Sequence, residues 1–229
     1  MVTIEEMATH PREPEADATP AGRLSRDAFA AAALEFIDAH GIDALTLRAL
    51  GDEMGVHSTA VYRYYRSKDE LVEAALARML AESGVEIPDD GTPRERIAAI
   101  LRGLRGAFAA HPSMALPNLT FADEQATVEF VRGGLYLLEQ MGLRGRDLVV
   151  AYQALENFHV GTTAYDFAEY PEGLERLMRG RQLVGHPAIA EASGSLDDMR
   201  ATKDEAFEMT LNALLDACEA RGALDGPPR

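Results

Sequence analysis

Two short helical patterns meet at a single glycine near the N-terminal end of this chain. Thr46 can cap a helix that buries Leu50, and Gly55 can end it because glycine readily adopts the backbone angles of a helix terminus. A second short helical pattern follows within a few residues, and its spacing predicts that Val61 and Tyr65 face the core. Two short helices joined by a tight glycine turn are typical of the helix-turn-helix, whose second helix lies in the DNA major groove.

Longer helical patterns flank this unit on both sides. The upstream helix has Ser25 as its predicted N-cap and Gly41 as its stop, and its apolar face has the spacing i, i+3, i+4, i+7 and i+8: Phe29, Ala32, Ala33, Phe36 and Ile37. Downstream, Ser67 and Glu70 have the spacing of a capping box at the start of another helix. We therefore expect three helices followed by a fourth that leads away from them.

The rest of the chain also has helical signals and no alternating pattern of strands. Thr92, Pro93 and Glu95 give a helix start after the loop 83–91, and further helices are predicted over 93–110, 123–141, 146–166 and 196–221. The predicted class is all-α: a flexible tail (1–22), a helix-turn-helix domain with its connecting helix (23–84), a larger helical-bundle domain (92–222) and a C-terminal tail (223–229).

Charge limits how the chain can meet nucleic acid. The formal net charge is −16, so a protein that coats nucleic acid through bulk charge is excluded. Residues 46–68 nevertheless carry four basic against two acidic side chains, a local net charge of +2. With one cysteine, no secretory signal and no apolar run of the roughly 18 residues a membrane span needs, we expect a cytoplasmic protein with no membrane partner.

The stretch 55–71, "GVHSTAVYRYYRSKDEL", collects the side chains that DNA contacts require. Short hydroxyls and arginine contact base edges, whereas tyrosine hydroxyls and lysine bind phosphate oxygens. With Val61 and Tyr65 packed inward, the residues left for DNA are His57, Ser58, Thr59, Tyr62 and Arg63. Lys68, at a predicted helix start, is a further candidate for a phosphate contact.

These segments, "AHGIDALTLRALGDEMGV" and "AVYRYYRSKDEL", resemble the N-terminal DNA-binding domain of the tetracycline-repressor (TetR) family of bacterial transcriptional regulators. The resemblance implies phosphate contacts from Thr46, Tyr62 and Lys68. It also implies DNA contacts from Arg48, Ser58, Thr59 and, in a position often held by histidine, Tyr64. Gly51 departs from the alanine usual at the helix crossing, which weakens the helix by roughly 1 kcal/mol.

The C-terminal portion resembles the regulatory domain of the same family more loosely. The segments "LVVAYQALENFHVG" and "EAFEMTLNALLDACEAR" are similar to its late helices, which pair with those of a second subunit. The resemblance implies a homodimer on a double-stranded operator, with two recognition helices spaced by roughly 34 Å, one DNA turn. The predicted interface residues are Phe207, Thr210, Leu211, Leu214, Ala217 and Cys218.

A regulatory domain of this kind implies a small apolar or amphipathic effector. Candidate pocket residues combine aromatic and polar groups, as a cavity between helices requires: His111, Phe121, Tyr136, Tyr152, Asn157, Phe158, His159 and Tyr165. An ordinary buried histidine is the alternative for His159, and helix packing is the alternative for the glycine pair 133–134.

Other functions lack a supporting motif. His111, His159 and Asp166 have no recognised metal-ligand spacing, and no nucleophile motif or phosphate loop accompanies them or Glu156, so we predict neither metal, cofactor nor catalysis. The alternative to a DNA-binding regulator is a helical dimer of the same fold that has lost DNA binding and acts through other partners.

Overall fold

A computed structural model describes residues 24–84, 88–115, 124–167 and 172–225, and these form helices and turns with no strand. The first four helices, which we call the head, are α1 (Arg26–His40), α2 (Leu47–Glu53), α3 (Ser58–Tyr62) and α4 (Lys68–Glu82). The body comprises α5 (Pro93–Ala110), α6 (Glu124–Gln140), α7 (Gly145–Phe167), α8 (Glu172–Gln182), α9 (Pro187–Glu191) and α10 (Leu196–Asp225). Short 3-10 turns cover Ile42–Ala44 and Pro112–Met114. The predicted all-α class is confirmed.

Local capping explains where several helices begin. The side chains of Ser25, Thr46 and Ser67 each accept a hydrogen bond from the backbone N–H three residues ahead, and thereby start α1, α2 and α4. At α5 the capping box predicted for Thr92 and Glu95 is complete, because each side chain bonds the backbone of the other residue. These hydrogen bonds satisfy N–H groups that have no partner inside the helix.

Two apolar cores hold the protein together. The head core contains Phe29, Ile37, Leu50, Leu71 and Met79, all fully buried. The body core joins α5, α6, α7 and α10, and its most deeply buried side chains are Leu137, Leu138, Leu143, Leu211 and Leu215. Burial of apolar surface on this scale is the main favourable contribution to folding.

The two cores meet rather than being separated by the loop after α4. Phe108 of α5, Met114 and Phe167 at the end of α7 belong to the body in sequence but are buried in the head core. Leu80 of α4 packs against both cores. The division predicted between residues 84 and 92 falls between α4 and α5, but packing continues across it, so the head and the body are in direct contact.

The C-terminal helix is longer than predicted and packs tightly against a turn. It continues to Asp225 instead of ending at 221, so its last residues fall in the predicted tail. Gly222 lets the helix lie close to the turn after α6, because a Cβ there would lie 2.1 Å from the carbonyl oxygen of Met141. In the part of the chain that the structure describes, no helix combines the length and apolar character that crossing a membrane requires.

Candidate nucleic-acid interface

The turn between α2 and α3 brings the two helix backbones into contact. Gly55 adopts a positive φ of 66°, which glycine tolerates without strain. A Cβ on Gly51 would lie 3.0 Å from the carbonyl oxygen of Val56 and 3.2 Å from the Cα of Ser58. The Val56 N–H donates to the Gly51 carbonyl oxygen at 2.8 Å. The glycine predicted to weaken α2 therefore permits a closer crossing than a side chain allows.

One side of α3 and the turn after it are fixed to the head core. Val61 is fully buried and Tyr65 is 1% exposed. The Tyr65 hydroxyl donates to the carbonyl oxygen of Arg26 at 2.7 Å, and the Arg26 guanidinium lies 4.4 Å from the centre of the Tyr65 ring. Burial raises the pKa of Tyr65, and Arg26 opposes that effect. These contacts fix the rotation of α3, and hence which side chains face outward.

The opposite side of this segment, the α3 face, consists of His57, Thr59, Tyr62 and Arg63, all exposed. Tyr62 is 58% exposed, an unusual position for a large aromatic side chain next to a buried one. Ser58 is half-buried at the crossing with α2. The structure thus places four of the nine predicted DNA contacts on one exposed surface and leaves the Tyr62 ring to solvent.

His57 has a structural role at this surface as well. Its Nδ1 accepts a hydrogen bond from the Thr59 N–H at 3.3 Å and lies 3.0 Å from the Thr59 hydroxyl oxygen, so His57 caps α3. Because Nδ1 is the acceptor, the neutral ring carries its proton on Nε2, as a donor. The cap orders the imidazole without using the nitrogen that can bond to a DNA acceptor.

Three predicted contacts flank the α3 face. Thr46 is exposed and uses its oxygen to cap α2 at 2.9 Å, which leaves its hydroxyl hydrogen available. The Arg48 side chain is 85% exposed, and its Nε lies 3.8 Å from the Asp52 carboxylate. Lys68 is half-buried in the first turn of α4, where free backbone N–H groups favour an anion.

Tyr64 has a different environment from the other candidates. It is half-buried, its hydroxyl donates to the carbonyl oxygen of Leu24 at 2.9 Å, and its ring lies 5.2 Å from that of Phe29. Its contacts are therefore with α1 and the residues before it, and because the hydroxyl hydrogen is already donated, the Tyr64 oxygen can only accept from another donor.

Arg26 was not predicted as part of this site, although it organises the segment after α3. It donates to the Tyr64 carbonyl oxygen at 2.6 Å and to the Glu70 carboxylate at 2.9 Å. The other oxygen of Glu70 accepts from the Arg66 N–H at 2.7 Å, and these bonds lower the pKa of Glu70. Glu70 thus bonds Arg66 rather than the N-cap backbone, and the box predicted with Ser67 is half formed. Arg26 is a single arginine in the first turn of α1, and no sequence motif around it indicated this role.

In the body, the predicted pocket residues lie at different places. His111 Nδ1 lies 2.6 Å from the Asp38 carboxylate and so ties the end of α5 to the head. His159 lies among apolar groups, with its ring 6.0 Å from that of Phe108. Burial lowers the pKa of His159 to about 4, so it is neutral at neutral pH.

The remaining pocket candidates divide between core and surface. Phe158 packs on Phe207 with ring centres 5.0 Å apart, and the Tyr152 ring packs where a Cβ on Gly134 would lie, 3.2 Å away. The exposed candidates are Tyr136, Asn157 and Tyr165, and Phe121 lies outside the described residues. The described residues thus do not bring the predicted set together around one cavity.

Asp166 belongs to a buried ionic cluster. Arg105 of α5 and Lys203 of α10 both bind its carboxylate, and Arg105 also binds Asp204 at 2.8 Å. The side chains of Asp166, Lys203 and Arg105 are 8%, 10% and 13% exposed. Since His111 is paired with Asp38, the metal alternative gains no support, and the described residues contain no cluster of three metal-ligating side chains.

The predicted dimer residues lie on two sides of α10. Phe207, Leu211 and Cys218 are buried in the body core of the single chain, and burial raises the pKa of the Cys218 thiol. Thr210 and Ala217 are exposed, and Leu214 is half-buried. A side chain fully enclosed by its own chain has no surface for a partner, so the candidates available for an interface are Thr210, Leu214 and Ala217.

Comparisons with known proteins match both halves of this architecture. Residues 30–75 match the family described as bacterial regulatory proteins, tetR family, and residues 87–221 match the tetracyclin repressor-like C-terminal domain. The chain is 28% identical over 202 residues to the class A tetracycline repressor protein from transposon 1721 in Escherichia coli, covering 87% of this chain and 92% of that one.

Solved structures show the same fold. A possible TetR family transcriptional regulator from Streptomyces coelicolor A3(2) superposes with a TM-score of 0.70 at 27% identity, over 86% of this chain and 99% of that one. ActR from Streptomyces coelicolor in complex with actinorhodin superposes with a TM-score of 0.62 at 23% identity, over 86% of this chain and 99% of that one.

Proposed function

The chain belongs to the TetR family of bacterial regulatory proteins, and from that premise we propose how this member acts. It binds a pseudo-palindromic operator as a homodimer and represses transcription there. A small apolar or amphipathic molecule entering the body releases it from the DNA. The observation that carries the proposal is the α3 face, which is exposed and polar while Val61 and Tyr65 fix the helix from behind.

Each side chain of the α3 face suits a different part of the duplex. Thr59 and Arg63 reach base edges in the major groove, where hydroxyl and guanidinium groups distinguish base pairs. Tyr62 donates its hydroxyl to a phosphate, and Thr46 and Lys68 bind phosphates on either side. His57 offers Nε2–H to a further acceptor. Because the whole chain is acidic, attraction to DNA comes from this local surface and falls steeply with added salt.

A dimer is needed because one five-residue recognition helix offers few contacts. The outer surfaces of α7 and α10 support such pairing: Val149, Val160 and Met209 are exposed at 60%, 37% and 72%. Thr210 and Ala217 lie on the same outer surface of α10. Exposed apolar groups on neighbouring helices favour association, since burying them removes apolar surface from water.

Effector release is supported by the packing between body and head. Phe108 and Phe167 contribute to the head core, and neutral His159 lies beside Phe108. A molecule that displaces these side chains changes the position of the head. Such a molecule needs to favour one position of the head over another by only about 1–3 kcal/mol to alter DNA affinity. The complex of the fold relative ActR with actinorhodin is consistent with an effector site in this fold.

A mobility-shift titration on the promoter DNA next to the gene tests DNA binding. Replacing Tyr62 by Phe removes one hydroxyl from each subunit, and we expect affinity to fall by about a hundredfold, because two hydrogen bonds to charged phosphates are lost, each contributing about 1.5 kcal/mol. Tyr136→Phe is the matched control, since Tyr136 is 57% exposed and lies far along the chain from α3. It should bind as the wild type does.

Two results would contradict the proposal. One is a screen in which no promoter sequence is retarded. The other is unchanged binding of both Tyr62→Phe and Lys68→Ala. The first would favour a helical dimer that has lost DNA binding and acts through other partners, an alternative with which the net charge of −16 is compatible. The second would mean that DNA is bound through a surface other than the α3 face.

A further inference from the structure

A cavity of about 580 Å³ lies in the body between the end of α7, helix α8 and the N-terminal part of α10. Its volume is within the range of roughly 300–1,000 Å³ typical of small-molecule sites. Of the predicted pocket residues, Tyr165 alone lines it among those that the structure describes. Its wall combines apolar with cationic side chains: Leu174, Leu177, Val184, Arg176, Arg181 and Lys203.

Arg181 is the unusual member of this wall. The side chain is half-buried, and its polar contact is between Nη1 and the sulfur of Met199, at 3.7 Å. No carboxylate lies within ion-pair distance of Arg181 among the described residues. A thioether is a weak acceptor, and a guanidinium removed from water usually has an anionic partner. Arg181 therefore presents unused donors to the cavity.

Among the described residues that line the cavity, the acidic one, Asp166, does not serve as that partner. The carboxylate of Asp166 is bound by Arg105 and by Lys203, whose Nζ lies 2.9 Å from Oδ1. With two cations on one carboxylate, Asp166 is neutralised within its own cluster and does not repel an incoming anion. Among the described residues that line the cavity, cationic side chains outnumber carboxylates, although the chain as a whole is strongly acidic.

We propose that this cavity binds an amphipathic organic anion, a carboxylate or sulfonate attached to an apolar ring system or chain. The anionic group accepts hydrogen bonds from Arg181, whose planar guanidinium can donate two at once. The apolar part lies against Leu177 and Val184. This site is distinct from the α3 face, and binding there does not require that the protein bind DNA.

Fluorescence titration of the full-length protein with anilinonaphthalene sulfonate tests the proposal. The uncharged N-phenylnaphthylamine has similar rings and serves as the matched neutral probe. We expect the anion to bind Arg181→Gln about tenfold more weakly than wild type, because charge-assisted hydrogen bonds are lost. The neutral probe should not distinguish the two proteins. Arg179→Gln is the control, since Arg179 is paired with Glu175 at 3.5 Å and does not line the cavity.

A second pair of variants places a negative charge at the mouth of the cavity without touching Arg181. Val184 is 63% exposed and lines the cavity, whereas its neighbour Leu183 is 88% exposed and does not. We expect Val184→Asp to weaken binding of the anionic probe severalfold by like-charge repulsion, and Leu183→Asp to leave it unchanged. The proposal is overturned if Arg181→Gln and Val184→Asp both bind the anion as wild type does, or if the control variants lose as much affinity as they do.

Discussion

The α3 face and the body interior use cations in opposite ways. Beside the face, on α2, Arg48 is 85% exposed and its contact with Asp52 is long, at 3.8 Å. In the body, Arg105 and Lys203 are almost enclosed and bind Asp166 together. An exposed cation with a loose partner loses little when it turns to an external phosphate. A buried cation cannot leave its carboxylate without a large desolvation cost. The same residue types thus serve recognition in one region and structure in the other.

The strongest test of this contrast removes one carboxylate from each region. Asp166→Ala leaves the buried Lys203 without its carboxylate and Arg105 paired with the exposed Asp204 instead of the buried Asp166, and we expect the free energy of unfolding to fall by about 3 kcal/mol. Asp52→Ala should change it by less than about 0.5 kcal/mol, since exposed pairs contribute little. Urea denaturation followed by circular dichroism measures both. If Asp166→Ala lowered the free energy of unfolding as little as Asp52→Ala does, the ionic cluster in the body would not stabilise the fold.

The pH dependence of the unfolding free energy tests burial in the body through a second group, His159. Its folded pKa of about 4 lies below the unfolded value near 6.5, so its contribution to stability is complete above pH 6.5 and is lost as pH falls towards 4. Between pH 7 and pH 5 this amounts to about 2 kcal/mol. His159→Gln should reduce the dependence of the unfolding free energy on pH in that window by this amount. An identical dependence in the variant would mean that His159 is hydrated in the folded protein.

Tyr62 and Tyr65 allow an exposed and a buried hydroxyl to be compared within one short segment of the chain. Tyr65→Phe leaves the Arg26 carbonyl oxygen without its donor, and we expect a loss of about 1–2 kcal/mol in the free energy of unfolding. The exposed hydroxyl of Tyr62 should make no such contribution, so Tyr62→Phe is expected to unfold as wild type does. Thermal denaturation distinguishes them. If Tyr62→Phe were the less stable variant, the roles assigned to the two rings would be reversed.

The smallest expected change in stability is at Gly51. Alanine there gains up to about 1 kcal/mol of helix propensity but brings a Cβ within 3.0 Å of the Val56 carbonyl oxygen. We expect these effects nearly to cancel in the free energy of unfolding. Operator affinity should fall, because α3 must move to relieve the contact. Denaturation and mobility-shift measurements on Gly51→Ala check the two parts separately, and tighter DNA binding would show that the close crossing is not required.

Much of the head could be predicted because its signals are local. The caps Ser25, Thr46 and Ser67 lie within three residues of the N–H groups they bind, and the apolar spacing of α1 reports directly which face is buried. The inward positions of Val61 and Tyr65 followed from the same spacing and are confirmed. Helices α8 and α9 were not predicted, since they are short and contain few large apolar residues.

Contacts between distant segments were decided by the tertiary structure. Arg26 meets Glu70 across 44 residues, and Arg105 meets Asp166 across 61, distances over which sequence spacing carries no information. The same packing enclosed Leu211 within its own chain and left Arg181 at the cavity with no ion-pair partner among the described residues. By itself the sequence determined where helices begin, which faces are apolar and which family the turn at Gly55 resembles. Which polar groups share a site depended on how the helices pack, because complementary shape and charge are satisfied only once the whole chain has folded.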